Sequence, residues 1–299
     1  MFLVIDIGGT FAKYALMDQA GKIYEKNKKP APRTNLADFE QMLFSTIEEQ
    51  DLSTIEGIAI SCPGVIDIET GTIYYGGSFP FLHEVNLVKT IQGKYGKKVS
   101  IENDGKCAAM AELWLGSVKG KKDAVVLVLG SGVGGGIILN GKVHRGVNLS
   151  AGEVSYVMDG FDLTTKKASF VGYDCSAVRM VQRIAQVKQL ENLKDGEAVF
   201  EFINSQDEEA MAIFDEFCLN LAVQILNMQY ILDPELFAIG GGISSQQILL
   251  ERLNWAIQEI KMSNPFHAAS PNLVLCKYRN DANLYGALYH YLNKIKKCP

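Results

Sequence analysis

The sequence predicts an α/β protein of two lobes with a central cleft, and three observations favour this fold class. Segments of strand character alternate with amphipathic helices along all 299 residues, which is typical of α/β architectures. A strand, a glycine-rich turn and a second strand open the chain, and the same pattern recurs near its middle. The chain is also longer than one ordinary domain. We therefore expect residues 1–116 to form an N-terminal α/β lobe and residues 117–280 a C-terminal one, with a C-terminal helix (281–299) joining the first.

The first glycine-rich turn follows the first strand almost at once. An apolar run leads into Asp6-Ile7-Gly8-Gly9-Thr10. Two glycines let the backbone turn sharply and leave no side chain in front of its N–H groups, and such amides can face the oxygens of a phosphate. Asp6 would hold a metal ion or water near those phosphates, and Thr10 would add a hydroxyl donor. Taken alone, the turn is explained equally well as an ordinary hairpin.

The second turn favours phosphate binding over the plain hairpin. Residues 124–129 form the most strand-like run in the chain, and they lead into the glycine-rich residues 130–136. Both hairpins also close alike, at residues 18–23 and at residues 139–143. This matched pair indicates two related halves whose turns converge on one polyphosphate.

Periodicity and turn residues place the remaining elements. Asn86 is the expected N-cap of one helix, and residues 74–80 are expected to form a loop. Helices are predicted over residues 36–50, 104–115, 176–190, 207–232 and 283–296, and strands over residues 57–61, 99–102 and 236–239.

Composition and charge exclude several classes of protein. The hydrophobic content of 47% and charged content of 21% are those of a globular chain, and the net charge of −5 gives no general attraction to nucleic acid or anionic membranes. The first apolar run stops at Asp6 without a basic flank, and no stretch approaches the roughly 20 apolar residues that span a bilayer. The six cysteines are scattered, without a C-x-x-C pair. We expect a cytoplasmic protein with reduced thiols and no nucleic-acid or membrane partner.

Asp104 is the carboxylate best placed for chemistry. It follows Glu102 and Asn103, where a strand gives way to a helix. An aspartate there is commonly an N-cap, but strand ends in α/β folds also open onto the binding crevice. A carboxylate at this point can accept the proton of an attacking hydroxyl, while the Asn103 amide orients the same substrate. Both roles remain open on spacing alone.

Two further features suit a small-molecule site. Glu153 follows the second hairpin in a loop of small residues, where it is either a surface glutamate or an acceptor of hydrogen bonds from vicinal sugar hydroxyls. Gly240-Gly241-Gly242 ends a strand, where it forms a tight turn or lets a flat ring approach the backbone.

Five motifs in this order resemble the ROK family, which groups sugar kinases and sugar-responsive repressors on the actin/sugar-kinase/heat-shock ATPase fold of duplicated ribonuclease-H-like domains. The resemblance covers essentially the whole chain. The motifs are Asp6 to Thr10 with Lys13, Cys62-Pro63-Gly64-Val65-Ile66-Asp67, Glu102-Asn103-Asp104, Gly130 to Gly136, and Gly240-Gly241-Gly242-Ile243.

The resemblance implies a role for each matching residue. Asp104 resembles the catalytic base, and Asn103 and Glu153 resemble sugar ligands. Main-chain groups near Gly64 are also expected to bind the sugar. Mg²⁺ is expected to accompany ATP, near Asp6. The residues expected to bind ATP are Ile5, Asp6, Ile7, Gly8, Gly9, Thr10, Phe11, Lys13, Gly130, Ser131, Gly132, Val133, Gly134, Gly135, Gly136, Gly240, Gly241 and Gly242.

The chain departs from the family at its sugar motif. Family kinases often read Glu-x-Gly-His, with a histidine that contacts sugar and binds zinc, whereas this chain reads Glu153-Val154-Ser155-Tyr156. Only Cys175 lies in the segment where the zinc cysteines should follow, and structural zinc usually needs four ligands, so no structural zinc is expected. The glutamate that contacts the anomeric end also lacks a counterpart. Tyr156 could instead stack on a second sugar ring or an aglycone, and this pattern resembles the family's β-glucoside kinases.

The leading expectation is an ATP-dependent kinase that phosphorylates the carbon-six hydroxyl of a β-glucoside such as cellobiose. A glucokinase or an N-acetylmannosamine kinase is the alternative. A sugar-sensing repressor is remote, because Asp6 comes too early to leave room for a helix-turn-helix module and there is no basic patch. An ATPase acting on protein partners is disfavoured by the Asn103-Asp104 pair. The resemblance also implies a homodimer.

Overall fold

The computed structural model describes residues 1–263, 266 and 268–295, and these fall into two compact units. Unit 1 comprises residues 1–116 and 145–151 together with the chain from residue 281 onward. Unit 2 comprises residues 117–144 and 152–280.

The elements follow one another as strands and helices in both units. The strands are β1 (Phe2–Ile7), β2 (Phe11–Met17), β3 (Ile23–Pro30), β4 (Gly57–Cys62), β5 (Val65–Asp67), β6 (Thr72–Tyr74), β7 (Val85–Asn86), β8 (Lys98–Asn103), β9 (Ala124–Leu129), β10 (Val133–Leu139), β11 (Lys142–His144), β12 (Met158–Asp162), β13 (Lys167–Phe170), β14 (Leu236–Gly241) and β15 (Leu273–Leu275). The α-helices are α1 (Leu36–Glu48), α2 (Leu87–Tyr95), α3 (Asp104–Leu115), α4 (Val171–Asp174), α5 (Ala177–Val187), α6 (Gly196–Asn204), α7 (Glu208–Leu232), α8 (Gln247–Ser263) and α9 (Ala282–Ile295). Short 3₁₀ helices cover Pro80–Leu82, Val154–Tyr156 and Gly242–Ser245.

The main sheets of the two units have the same topology. In unit 1 the strand order is β3-β2-β1-β4-β8, and in unit 2 it is β11-β10-β9-β14-β15. In each sheet the first three strands are antiparallel neighbours and the last three are parallel. The structure thus confirms the α/β class and repeats the strand, turn and strand pattern that the sequence shows twice.

Unit 1 buries both faces of its central strands. All six residues of β1 and of β4 are buried, as expected for strands covered by helices on each side. One face packs on α1, whose apolar stripe of Phe39, Leu43 and Ile47 is fully buried. The other face packs on α9, where Leu284 and Leu288 are fully buried. Strands β5, β6 and β7 form a small antiparallel sheet that was not predicted. Of residues 74–80, which were expected to form a loop, Tyr74 ends β6 and Pro80 begins a 3₁₀ helix.

Helix ends follow the capping residues in the sequence. Asn86 caps α2 by accepting a hydrogen bond from Lys89 N–H, as predicted, and Gly96 ends that helix with φ +63°. Asn103 caps α3, so the N-cap role considered for Asp104 belongs to its neighbour. The predicted last helix is α9, and Lys296 lies outside the described residues.

The core of unit 2 is built around the long helix α7. Phe214, Phe217, Leu221 and Ile225 are buried as predicted, and Met228 is half-buried against the same core. By length and composition α7 could cross a membrane, contrary to the expectation that no stretch comes close. The burial of this face in the unit's core accounts for its apolar character without a membrane.

Two other features of the described chain bear on the sequence predictions. Five cysteines are free and buried, and the sixth, Cys298, lies outside the described residues. Strands β12 and β13 form an exposed two-stranded hairpin that was not predicted, since its residues show no alternation of apolar and polar side chains.

Candidate active-site residues in the two units

Asn103 is fixed at the end of β8 in unit 1. Strands β4 and β8 are parallel neighbours, so their carboxyl ends meet at one edge of the sheet. The side-chain Nδ2 of Asn103 donates a hydrogen bond to the carbonyl of Gly64 over 2.9 Å, and its Oδ1 accepts one from Lys106 N–H over 3.0 Å. The structure therefore brings two predicted sugar-binding residues, Asn103 and Gly64, into direct contact.

Asp104 opens helix α3 beside Asn103 and is half-buried. Its Oδ1 accepts hydrogen bonds from Gly105 N–H over 2.8 Å and from Asn103 Nδ2 over 3.1 Å. Main-chain and amide donors of this kind restrain the orientation of the carboxylate. An oriented carboxylate beside an oriented amide is what proton abstraction from a hydroxyl requires.

A buried ion pair lies directly behind these two residues. Glu102 is completely buried; its Oε1 accepts a hydrogen bond from Asn103 N–H over 2.9 Å, and its Oε2 accepts two from the Arg145 guanidinium. His290 Nδ1 lies 3.8 Å from the same oxygen. Burial lowers the pKa of His290 to about 4, although the Glu102 charge opposes this. No motif in the sequence indicated Arg145 or His290, which reach Glu102 from distant parts of the chain.

Asp6 is buried at the end of β1 and surrounded by donors. Its Oδ1 accepts hydrogen bonds from Ser61 Oγ over 2.9 Å and from Asn283 Nδ2 over 3.0 Å. Lys13, opposite Asp6 in the β1–β2 pair, places its Nζ 3.6 Å from Oδ2. Burial raises the pKa of Asp6, and the Lys13 charge works against that rise. Ser61 and Asn283 are further contacts that no motif indicated.

The first glycine-rich turn joins β1 to β2 as a tight hairpin. Gly8 N–H donates to the carbonyl of Phe11 over 3.0 Å, and Thr10 is exposed at the tip. Ile5 and Ile7 are fully buried in the core of unit 1. Their side chains are therefore unavailable to a nucleotide, and only their main chain could contribute to a phosphate site.

The second glycine-rich run divides into a turn and a strand. Gly130 N–H donates to the carbonyl of Gly132 over 2.9 Å, which closes the turn between β9 and β10. Gly134, Gly135 and Gly136 lie within β10 instead. Gly135 has φ +143°, and a Cβ there would lie 1.9 Å from the carbonyl oxygen of Val126. This glycine is needed for strand pairing, so the turn offers fewer residues to a phosphate than the sequence suggested.

Gly242, the residue that directly follows β14, borders a cavity of about 480 Å³ in unit 2. Gly241 has φ +98°, and a Cβ there would lie 2.1 Å from the carbonyl of Leu129, so this position requires glycine. Of the predicted nucleotide residues, Gly130 and Gly242 line the cavity. The complete lining is Leu129, Gly130, Ala177, Val178, Val181, Lys194, Gly196, Glu197, Phe200, Gly242, Ile243, Ser245 and Gln246. Apolar walls with a few polar groups suit a flat heterocyclic ring, and the volume is in the range of small-ligand pockets.

Glu153 directly precedes a short 3₁₀ helix in unit 2, and Tyr156 is the last residue of that helix. Gly152, with φ +83°, brings this segment against β10, where a Cβ would lie 3.3 Å from Gly136 Cα. Glu153 is half-buried, whereas 75% of the surface of Tyr156 is exposed. Among the described residues, no three His, Cys, Asp or Glu side chains are grouped to hold a metal ion. The expected lack of structural zinc stays a prediction.

Comparison with known proteins identifies the class. A ROK family protein from Streptococcus pneumoniae, solved in complex with sucrose, has a TM-score of 0.87, 30% identity and 99% coverage of each chain. A β-glucoside kinase of Listeria monocytogenes is 28% identical over 97% of this chain and 96% of its own length. A glucokinase of Halalkalibacterium halodurans is 29% identical over 81% of this chain and 80% of its own length.

The fold is the actin-like sugar-kinase fold. The ROK family profile matches residues 2–294, and the chain belongs to the ROK family.

Proposed function

We propose that this chain transfers the γ-phosphoryl group of ATP to the carbon-six hydroxyl of a β-glucoside such as cellobiose. The chain is an ATP-dependent carbohydrate kinase of the ROK family. The proposal of site and mechanism rests on one observation above all, the Asn103-Asp104 pair held at the end of β8 by Gly64 and by the first turn of α3.

In this proposal Asp104 is the general base. Its carboxylate takes the proton of the acceptor hydroxyl as oxygen attacks the γ-phosphorus, and Asn103 orients the same sugar. The Asn103 amide already donates to Gly64, which fixes the position of its oxygen and nitrogen before any sugar binds. Pre-set orientation is the main contribution a protein makes to phosphoryl transfer, together with neutralisation of phosphate charge.

Unit 2 would hold the nucleotide, and Glu153 would bind sugar hydroxyls. The adenine ring fits the apolar cavity beside Gly242, and the amides of the Gly130–Gly132 turn would face phosphate oxygens. We propose that units 1 and 2 act as the two expected lobes.

Mg²⁺ bound with ATP near Asp6 would supply positive charge to the phosphates. Asp6 offers carboxylate oxygens, the ligand type that Mg²⁺ takes, and a cation beside it would favour the ionised form against the rise in pKa that burial causes. Lys13 already provides part of that charge at 3.6 Å.

Three observations support a β-glucoside as the acceptor. The histidine and glutamate that read the anomeric end in many family kinases lack counterparts here, and Tyr156 offers an exposed aromatic ring instead. A site without those polar groups loses less binding energy when the anomeric hydroxyl of the sugar is substituted, because fewer of its polar groups are left unpaired. Relatives named β-glucoside kinase match nearly the whole chain, and a structural neighbour binds sucrose, which has no free anomeric hydroxyl.

A glucokinase is the alternative supported by a named relative of similar identity. N-acetylmannosamine remains the other candidate acceptor. The cytoplasmic location and the homodimer stay predictions.

A coupled assay of ADP release with cellobiose, glucose and N-acetylmannosamine tests the proposal. We expect the highest kcat/KM with cellobiose. Faster turnover of free glucose than of cellobiose would contradict the β-glucoside proposal and support a glucokinase. We expect Asp104→Asn to lower kcat roughly a hundred- to ten-thousand-fold while ATP binding stays nearly unchanged. Asp18→Asn is the matched control, because Asp18 accepts main-chain hydrogen bonds in an exposed turn of the same unit. Near-normal turnover by Asp104→Asn would remove Asp104 from the role of base.

A further inference from the structure

The side chain of Ser155 hydrogen-bonds to both the main-chain N–H and the main-chain carbonyl of Val133 in unit 2. Its hydroxyl accepts a hydrogen bond from Val133 N–H over 2.8 Å and donates one to the Val133 carbonyl over 3.1 Å. Val133 is the first residue of β10 and directly follows the Gly130–Gly132 turn. One side chain thus satisfies the backbone at the point where the proposed phosphate turn ends.

The hydroxyl fits because glycines lie on two sides of it. A Cβ at Gly132 would lie 2.5 Å from Ser155 Oγ, and a Cβ at Gly172 would lie 2.7 Å from Ser155 Cβ. Both distances are far below ordinary van der Waals contact, so neither position tolerates a larger residue while Ser155 stays in place. The contact is therefore built from three positions that are distant in the sequence.

The chain segment that begins at Ser155 returns to the same turn. At its far end the Gly130 carbonyl accepts a hydrogen bond from Val178 N–H over 3.2 Å and a longer one from Ser176 Oγ over 3.4 Å. Residues 155–178 are thus hydrogen-bonded at one end to Val133, directly after the turn between β9 and β10, and at the other end to Gly130 in that turn. This segment includes Tyr156 and the exposed hairpin, and it begins two residues after Glu153.

We infer that Ser155 is a positioning residue through which the proposed sugar-reading loop and the proposed phosphate turn hold each other in place. The inference rests on the proposed function for the identity of the two ligands. The family pattern has glycine at this position, and glycine could make neither bond. Since Glu153 and the turn share one support, sugar binding changes nucleotide affinity, and nucleotide binding changes sugar affinity by the same factor.

Calorimetric titration with the ATP analogue AMP-PNP tests the inference on the full chain. Without sugar, we expect Ser155→Ala to bind AMP-PNP about tenfold more weakly, because a part-buried main-chain donor loses its partner. A saturating acceptor sugar should shift AMP-PNP affinity in the wild type and shift it much less in Ser155→Ala. Ser155→Gly, which has the family residue, should behave like Ser155→Ala. Ser150→Ala should match the wild type, since Ser150 is exposed and its hydroxyl donates a local hydrogen bond to the Asn148 carbonyl.

If Ser155 has a purely structural role, its variants should contain a smaller fraction of active protein. Their AMP-PNP affinity, and its dependence on sugar, should then equal those of the wild type. That result, or wild-type AMP-PNP binding by both Ser155 variants, would overturn the inference. The sugar used is the best acceptor in the kinase assay, so rejection of cellobiose corrects the proposed acceptor and leaves this test intact. If no sugar is accepted, the proposed function fails, and the AMP-PNP titration without sugar still decides the role of Ser155.

Discussion

Replacing Arg145 by methionine would leave the carboxylate of Glu102 buried without its guanidinium. Glu102 has no exposed surface, while 22% of the Arg145 side chain is exposed. Removing one partner of a buried pair costs about 3–5 kcal/mol, and the partial exposure of Arg145 places the expectation near the lower end, at about 3 kcal/mol. This is a large share of the 5–15 kcal/mol typical of a folded domain. The double variant Glu102→Gln/Arg145→Met should recover most of the loss, because a neutral glutamine can still accept the Asn103 N–H.

Urea unfolding followed by circular dichroism at pH 7.5 measures the four proteins of this double-mutant cycle. Arg183→Met is the control, since Arg183 makes a two-bond pair with Glu216 in which both side chains are substantially exposed. Such surface pairs contribute about 0–1 kcal/mol. If Arg145→Met stays within about 0.5 kcal/mol of the wild type, or costs no more than Arg183→Met, the argument from burial is wrong.

Two further pairs of variants, each a test with its control, address the protonation and packing of unit 1. Burial lowers the pKa of His290 from 6.5 to about 4. Between those pH values the unfolded chain binds a proton at this histidine and the folded chain does not. The free energy of unfolding should therefore fall by about 3 kcal/mol as the pH drops through that window. His290→Gln should remove this pH dependence in urea titrations at pH 7.5 and 4, and His144→Gln, at an exposed position, should keep it. An unchanged pH dependence in His290→Gln would refute the assignment. Gly286→Ala should destabilise the fold by about 1–3 kcal/mol, because its Cβ would lie 1.8 Å from the Cys107 carbonyl oxygen. Gly93→Ala, in a helix position with open space around it, should stabilise the fold by up to about 1 kcal/mol. Thermal unfolding compares the two alanine variants, and a shift in the same direction would contradict the packing argument.

Features determined by local sequence were the ones that could be predicted. The two strand, turn and strand units follow from apolar runs interrupted by glycines, and both appear with the expected strands. Asn103 and Asp104 were placed correctly at the junction of β8 and α3, because a strand end followed by capping residues is visible in a few adjacent residues.

Contacts made across long sequence separations could not be predicted. Asn283 donates to Asp6 from 277 positions away, and Arg145 reaches Glu102 from the connection after β11. The cavity beside Gly242 is lined by the first turns of α5 and α6, whose apolar residues look like any helix face in the sequence. The run of glycines at 130–136 likewise gave no indication of which residues form the turn and which pair in β10, because glycine permits both.

The departure from the family's sugar motif is best understood as a change in a connected segment. Tyr156 is exposed and would be free to meet a second ring, but the neighbouring Ser155 is fixed to Val133, and residues 176–178 are fixed to Gly130. A change at either attachment point therefore bears directly on the residues that form or follow the proposed phosphate turn. We therefore expect variants of Ser155 to alter both nucleotide affinity and acceptor choice, whereas variants of Tyr156, which leave these hydrogen bonds in place, should alter acceptor choice alone.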